Sequence, residues 1–189
     1  QRALRGKFTD LVRSLPTTAA SDQFVSNGLQ NFMEIIITKD PIQKLDGVKH
    51  VQEFGIKAGI IKTSDQIEGI VLKGAGPEYN WSFFQSKLIE GRIPEISNEK
   101  KSLEILISKH LSDLMGFKIE DKVLIYFIDD PPRMRKFTIS GIYQTGLEEF
   151  DNKFLFGDIK YIQKFNKWDS SQVSGYEVLI DDYDKLDQL

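Results

Sequence analysis

The chain has 189 residues and a formal net charge of −3, with 40% hydrophobic, 11% aromatic and 28% charged residues. That is an ordinary globular composition for one large or two small domains, and it excludes a disordered chain. The acidic balance weighs against a nucleic-acid protein, and the absence of cysteine excludes disulfides, Fe–S clusters, thiolate zinc sites and cysteine nucleophiles.

Residues 1–15 carry Leu4, Phe8, Leu11 and Leu15 on one helical face. Arg2, Arg5, Lys7 and Arg13 against Asp10 make the stretch basic, and Pro16 ends it. A surface helix and a juxtamembrane helix beside lipid headgroups both fit this pattern. Thr17 to Gly28 reads as a loop, and Phe32 to Thr38 as a buried strand. Asp40-Pro41-Ile42-Gln43 opens a short helix with the makings of a capping box, which Gly47 ends.

Val48 to Lys62 and Ile67 to Lys73 read as strands joined by a hairpin turn at Thr63-Ser64-Asp65-Gln66, with Gly55 and Gly59 suggesting a bulge or bend. Gly74-Ala75-Gly76-Pro77 reads as a turn, Trp81 to Leu88 as one or two helical turns, and Gly91 to Lys101 as a loop. Leu103 to Ile107 is a predicted strand. Ser108 caps a helix with Leu111, Leu114 and Met115 on one face, and Gly116 stops it. Lys122 to Ile128 and Arg135 to Tyr143 form a predicted hairpin around Asp129-Asp130-Pro131-Pro132. Asp158 caps a helix running to Trp168. Tyr176 to Ile180 is a last strand, and Asp182 to Leu189 starts another helix. The order points to an α+β protein with a β-rich insertion.

No apolar run approaches the ~20 residues that span a bilayer. The chain starts at Gln1 and stops just inside a predicted helix, so it is expected to be a piece of a longer protein. There is no P-loop, and Pro77 spoils any dinucleotide fingerprint at Gly74. No nucleophile elbow is present, and neither His50 nor His110 has triad or metal spacing. Asp129/Asp130, Glu148/Glu149 with Asp151, and Asp181/Asp182 are carboxylate pairs of the kind that turns and helix caps use. The segment Asp129, Asp130, Pro131, Pro132, Arg133, Met134 and Arg135 is a candidate partner contact, because its two prolines lower the entropy lost on binding.

One family gathers these pieces. Leu103-Glu104-Ile105-Leu106-Ile107-Ser108, then Leu111, Leu114 and Gly116, then Glu120-Asp121-Lys122-Val123, then Phe137-Thr138-Ile139-Ser140-Gly141-Ile142-Tyr143 together resemble the extracytoplasmic domain of MacB/LolC/LolE/FtsX-type ABC transporter permeases. Ile70-Val71-Leu72-Lys73-Gly74, Phe150-Asp151 ahead of Asp158-Ile159, and Gly175-Tyr176-Glu177-Val178 fit the same pattern. The likeness is best over about residues 40–189 and is nearest to the lipoprotein-releasing LolC/LolE type. Glu120-Asp121 stands where that family has Gly-Asp, and the segment at Asp129 is shorter than the carrier-binding hook of LolC.

The resemblance implies an α+β Porter-like subdomain with an inserted β-rich Sabre-like subdomain. Residues 1–15 would be a juxtamembrane helix, 16–102 the first part of the Porter-like subdomain, 103–147 the insertion and 148–189 the return. It implies a non-catalytic periplasmic domain of an inner-membrane permease without a cofactor. Its partners would be a cytoplasmic ATPase, a second permease subunit and a periplasmic lipoprotein carrier. Arg2, Arg5, Lys7 and Arg13 would lie next to the membrane. A MacB-like exporter and an FtsX-like regulator of wall hydrolases share the pattern. A secreted hydrolase or glycan-binding module using a carboxylate pair with Trp81 or Trp168 is the rival from outside the family.

Overall fold

The computed structural model describes residues 39–129 and 131–180. The stretch 1–15 with Arg2, Arg5, Lys7 and Arg13, the strand expected at Phe32 to Thr38, Asp130 and the helix expected from Asp182 lie outside them. The elements are α1 (Lys39–Gln43), β1 (Val48–Lys62), β2 (Ile67–Ala75), α2 (Ser82–Ser86), β3 (Leu88–Gly91), β4 (Glu104–Ser108), α3 (Lys109–Met115), β5 (Lys122–Phe127), β6 (Arg133–Tyr143), α4 (Glu148–Asp151), β7 (Phe154–Asp158), α5 (Ile159–Asn166) and β8 (Gly175–Ile180). Helices and strands intermix along the chain, and the fold is α+β. Among the described residues no helix is long and apolar enough to cross a membrane.

The described residues divide into two compact units, 54–171 and 39–53 with 172–180. In the smaller one β8 pairs with β1. Ile42 and Val51 are buried there against Val48 and Tyr176, and Gln52 Nε2 donates to Glu177 Oε2 at 2.8 Å. The side chain of Gln43 accepts the amide of Val51 at 2.9 Å, which ties α1 to β1.

In the larger unit β1 pairs antiparallel with β2 and with β5. Next, β2 runs parallel to β7, and β7 lies antiparallel to β4. Finally β4 is parallel to β6, and β6 is antiparallel to β5. This path returns to β1, so six strands form a closed ring of pairings that includes the 103–147 block and its flanks. Closure leaves few unpaired edges. One further strand, β3, adds to β6 beside the ring.

Two apolar clusters hold this unit together. The first joins Ile61, Leu72, Ile105, Ile139 and Leu155 from the strands to Leu111 and Met115 of α3 and Ile162 and Phe165 of α5. The second gathers Tyr79, Phe84, Leu106, Tyr143 and Phe156, with Trp81 packed against them. Neighbouring residues in β4 and β7 serve opposite clusters: Ile105 and Leu155 the first, Leu106 and Phe156 the second. These strands are covered on both faces, so their sequences are unbroken apolar runs without alternation. Tyr143 is fully buried, and its hydroxyl donates to the carbonyl of Phe154 at 2.9 Å. Burial raises the phenol pKa far above that of a free tyrosine, with the Asp151 carboxylate adding to the effect.

The bulge expected at Gly55 and Gly59 is absent. The β1–β2 register runs without a break from Phe54↔Ala75 to Lys62↔Ile67. Gly55 and Gly74 are partners in that register, and α5 lies directly on them. A Cβ on Gly74 would sit 2.5 Å from Ile159 Cα, and one on Gly55 would sit 3.1 Å from Ile162 Cγ2. Gly74 therefore belongs to a strand that admits a helix at close range, where the sequence suggests a turn. The caps expected of α3 and α5 are present. Ser108 Oγ accepts Leu111 N at 3.1 Å, Gly116 takes the left-handed conformation, and Asp158 Oδ1 accepts Lys160 N at 2.9 Å.

Candidate functional site

The candidate contact closes the β5–β6 hairpin, whose register runs from Lys122↔Thr138 to Phe127↔Arg133. The charged side chains of Asp129, Arg133 and Arg135 are occupied within the unit. Asp129 Oδ1 accepts Lys57 Nζ at 2.9 Å, and the same ammonium donates to Asn166 Oδ1 at 2.8 Å. Asp129 Oδ2 is buried without a hydrogen-bond partner, with Arg133 Nε 3.8 Å away. Arg133 Nη1 donates to the carbonyl of Phe165 at 3.2 Å and reaches that of Lys164 at 3.5 Å. A guanidinium at these last-turn carbonyls completes α5 and meets the negative end of its dipole. Arg135 Nη2 lies 3.3 Å from Tyr161 Oη, with its guanidinium carbon 5.2 Å from the ring centroid.

The apolar part of the segment is left outside. Pro131 and Pro132 are exposed, and Met134 is 62% exposed. Ile128, just before the segment, is 66% exposed. The structure thus splits the candidate residues: Asp129, Arg133 and Arg135 hold the hairpin against β1 and α5, and Pro131, Pro132 and Met134 face solvent. Asp130 lies outside the described residues, as do Arg2, Arg5, Lys7 and Arg13.

No family model matches the chain. The lipoprotein-releasing system transmembrane protein LolC of Xylella fastidiosa is 24% identical over 138 residues, covering 68% of this chain. The chain spans 32% of that protein's length. Two crystal structures share the architecture. One is the extracellular domain of the noncanonic ABC-type transporter YknZ from Gram-positive bacteria, with a TM-score of 0.53 and 15% identity over 79% of this chain and 74% of that one. The other is the periplasmic region of MacB from Actinobacillus actinomycetemcomitans, with a TM-score of 0.50 and 14% identity over 76% of this chain and 63% of that one. This chain has the fold of the extracytoplasmic domains of MacB-type ABC transporters.

The MacB-type reading gives meaning to one local departure. Glu120, standing where the resemblance expects glycine, has φ 68°, the left-handed region. Its amide donates to the carbonyl of Ile139 at 2.9 Å, so the turn into β5 is kept. A side chain there costs about 1 kcal/mol. Glu120→Gly is therefore expected to raise stability by about 0.5–1 kcal/mol in urea unfolding, and a loss of stability would show that the carboxylate is used.

Other acids have structural work, among them the candidate Asp151. Asp151 accepts Thr145 N at 3.1 Å and Gly146 N at 2.9 Å. Asp158, besides capping α5, accepts Ser102 N at 2.8 Å. Glu104 accepts Arg92 Nη1 and Glu95 N, both at 2.8 Å. The Arg92 hydrogen bond holds its carboxyl below the usual range. Among the described residues no three His, Asp or Glu side chains are grouped so as to hold a metal ion. His110 is an exposed residue of α3. Trp81 packs at 6.3 Å between ring centroids on Phe156, and Trp168 packs against the first cluster, so both serve the core.

Proposed function

We propose that this chain is the extracytoplasmic domain of an inner-membrane ABC permease, most akin to the lipoprotein-releasing type. In that role it binds and guides a lipoprotein toward a soluble periplasmic carrier while an ATPase on the cytoplasmic side supplies the energy. It works non-catalytically beside a second permease subunit. The observation that supports this reading is two likenesses that each cover more than two thirds of the chain: the MacB-type fold and the stretch of identity to LolC. The segment Asp129 to Arg135 is the proposed partner contact, and its exposed prolines and Met134 make that contact. The expected Porter-like and Sabre-like division is kept as part of this proposal.

The test uses the full-length gene product in its own host. Fractionation is expected to place it in the inner membrane, with one apolar segment of ~20 residues before Gln1 and three after Leu189. Depletion is expected to leave outer-membrane lipoproteins stranded in the inner membrane. A soluble product with no flanking spans overturns the permease reading. An inner-membrane product whose depletion leaves lipoprotein sorting intact overturns lipoprotein release. That second outcome would turn attention to a duct or a wall hydrolase as partner.

A further inference from the structure

The outer face of the β2–β1–β5–β6 part of the ring carries apolar side chains, and among the described residues no element packs on it. The registers align Gly69, Ile60, Tyr126 and Met134 as one ladder across four strands. Side chains alternate along a strand, and the alternate residues Ile61 and Ile125 are buried on the inner side. The ladder is flanked by Ile67 opposite Lys62, and by Leu124 opposite Lys136. Ile67 is 62% exposed, and Ile128 continues the row of Tyr126. A monomer seldom leaves a sheet face like this open unless something covers it.

Among the described residues of these four strands, the charges on this face have one sign. Lys62, Lys122 and Lys136 share its parity, and all are exposed. None of the three is ion-paired among the described residues. Nearby carboxylates are engaged or directed elsewhere: Glu104, opposite Thr138 on β4, is paired with Arg92, Glu68 pairs with inward Ile61, Asp129 engages Lys57, and Asp65 accepts Ser64 Oγ in the turn. An apolar centre with a lysine rim is complementary to an apolar stripe flanked by carboxylates.

We infer that this face docks an acidic amphipathic helix of a partner protein. A helix laid on a sheet is the usual way to bury such a face. An anionic bilayer would meet the same lysines and is the other outcome that the experiment below separates. A single helix feels only the rim within a Debye length of about 8–10 Å. The inference does not depend on the permease reading. It shares Met134 with the hairpin contact, but Lys62 lies on β1 with β5 between it and that hairpin's second strand, so reversal at Lys62 tests the face alone.

The experiment follows fluorescence anisotropy of a labelled 18-residue Leu/Glu/Ala peptide, with its leucines on one helical face, titrated with the 189-residue chain. A scrambled peptide of the same composition is the control, and phosphatidylglycerol vesicles are tested by co-sedimentation. Saturable binding is expected, at least tenfold weaker for the scrambled peptide and at least tenfold weaker for Lys62→Glu/Lys136→Glu. If that double reversal lowers the melting temperature, Lys62→Gln/Lys136→Gln is used, with about threefold weakening expected. Equal binding of both peptides, no effect of the lysine changes, no saturable binding, or capture by vesicles in preference to the peptide would each overturn the inference.

Discussion

Replacing Gly74 by valine is expected to destabilise the larger unit by about 3 kcal/mol or more. The new Cβ would stand 2.5 Å from Ile159 Cα and 2.8 Å from Ile162 Cδ1. The first obstacle is backbone, so no rotamer change relieves it, and α5 must lift from the sheet. With α5 would go Ile162 and Phe165, both part of the first cluster. The control is Gly69→Ala, where an added Cβ meets nothing within 4 Å. That change is expected to stay within about 0.5 kcal/mol of the parent. Urea unfolding followed by circular dichroism measures both. Similar midpoints for the two variants would show that α5 does not need the glycine floor.

Phe156→Ala is expected to cost about 3–5 kcal/mol, against about 1.5 kcal/mol or less for Phe156→Leu. Phe156 is fully buried, and its ring centroid lies 4.2 Å from that of Phe84 and 5.7 Å from that of Tyr143. The ammonium of Lys73 stands 5.8 Å from the same centroid and 4.8 Å from that of Phe54. Truncation therefore opens a cavity and removes one of the rings facing a buried cation. Thermal melts with near-ultraviolet circular dichroism read the loss of stability and of aromatic packing together. Equal costs for alanine and leucine would mean that ring geometry, rather than filled volume, governs this cluster.

Much of this fold is legible in the sequence where a local rule applies. The alternation of Val123, Ile125 and Phe127, the Ser108 and Asp158 caps and the stop at Gly116 need only neighbouring residues to be read. β7 is different. Phe154-Leu155-Phe156 is short and apolar throughout because both faces are covered, so periodicity gives it no signature. Gly55 and Gly74 mislead for a related reason: their meaning lies in a helix, Ile159–Asn166, far later in the chain. The hairpin's position is readable from Pro131 and Pro132. The direction of its charges is not, because Lys57, Asn166 and Tyr161 come from β1 and α5 and fix it only in the folded unit. The open face of the sheet is likewise invisible until the strand registers bring Ile60, Tyr126 and Met134 into line.

The closed ring also sets the order in which this protein can acquire structure. The β5–β6 hairpin is local and can form early. β2, however, gains its second neighbour only when Leu72 meets Leu155, and β4 meets β7 only at Leu106 and Phe156. Until residues 154–158 are synthesised, the ring is a single open arc, β2–β1–β5–β6–β4, whose two end strands each present an exposed margin rich in isoleucine, leucine and valine. Long loops must close before those contacts repay the entropy, so ring completion is expected to be the slow step of folding. A chain truncated before β7 would retain the β1–β2 and β5–β6 hairpins and two open margins, a species prone to join its own copies rather than a smaller version of the native domain.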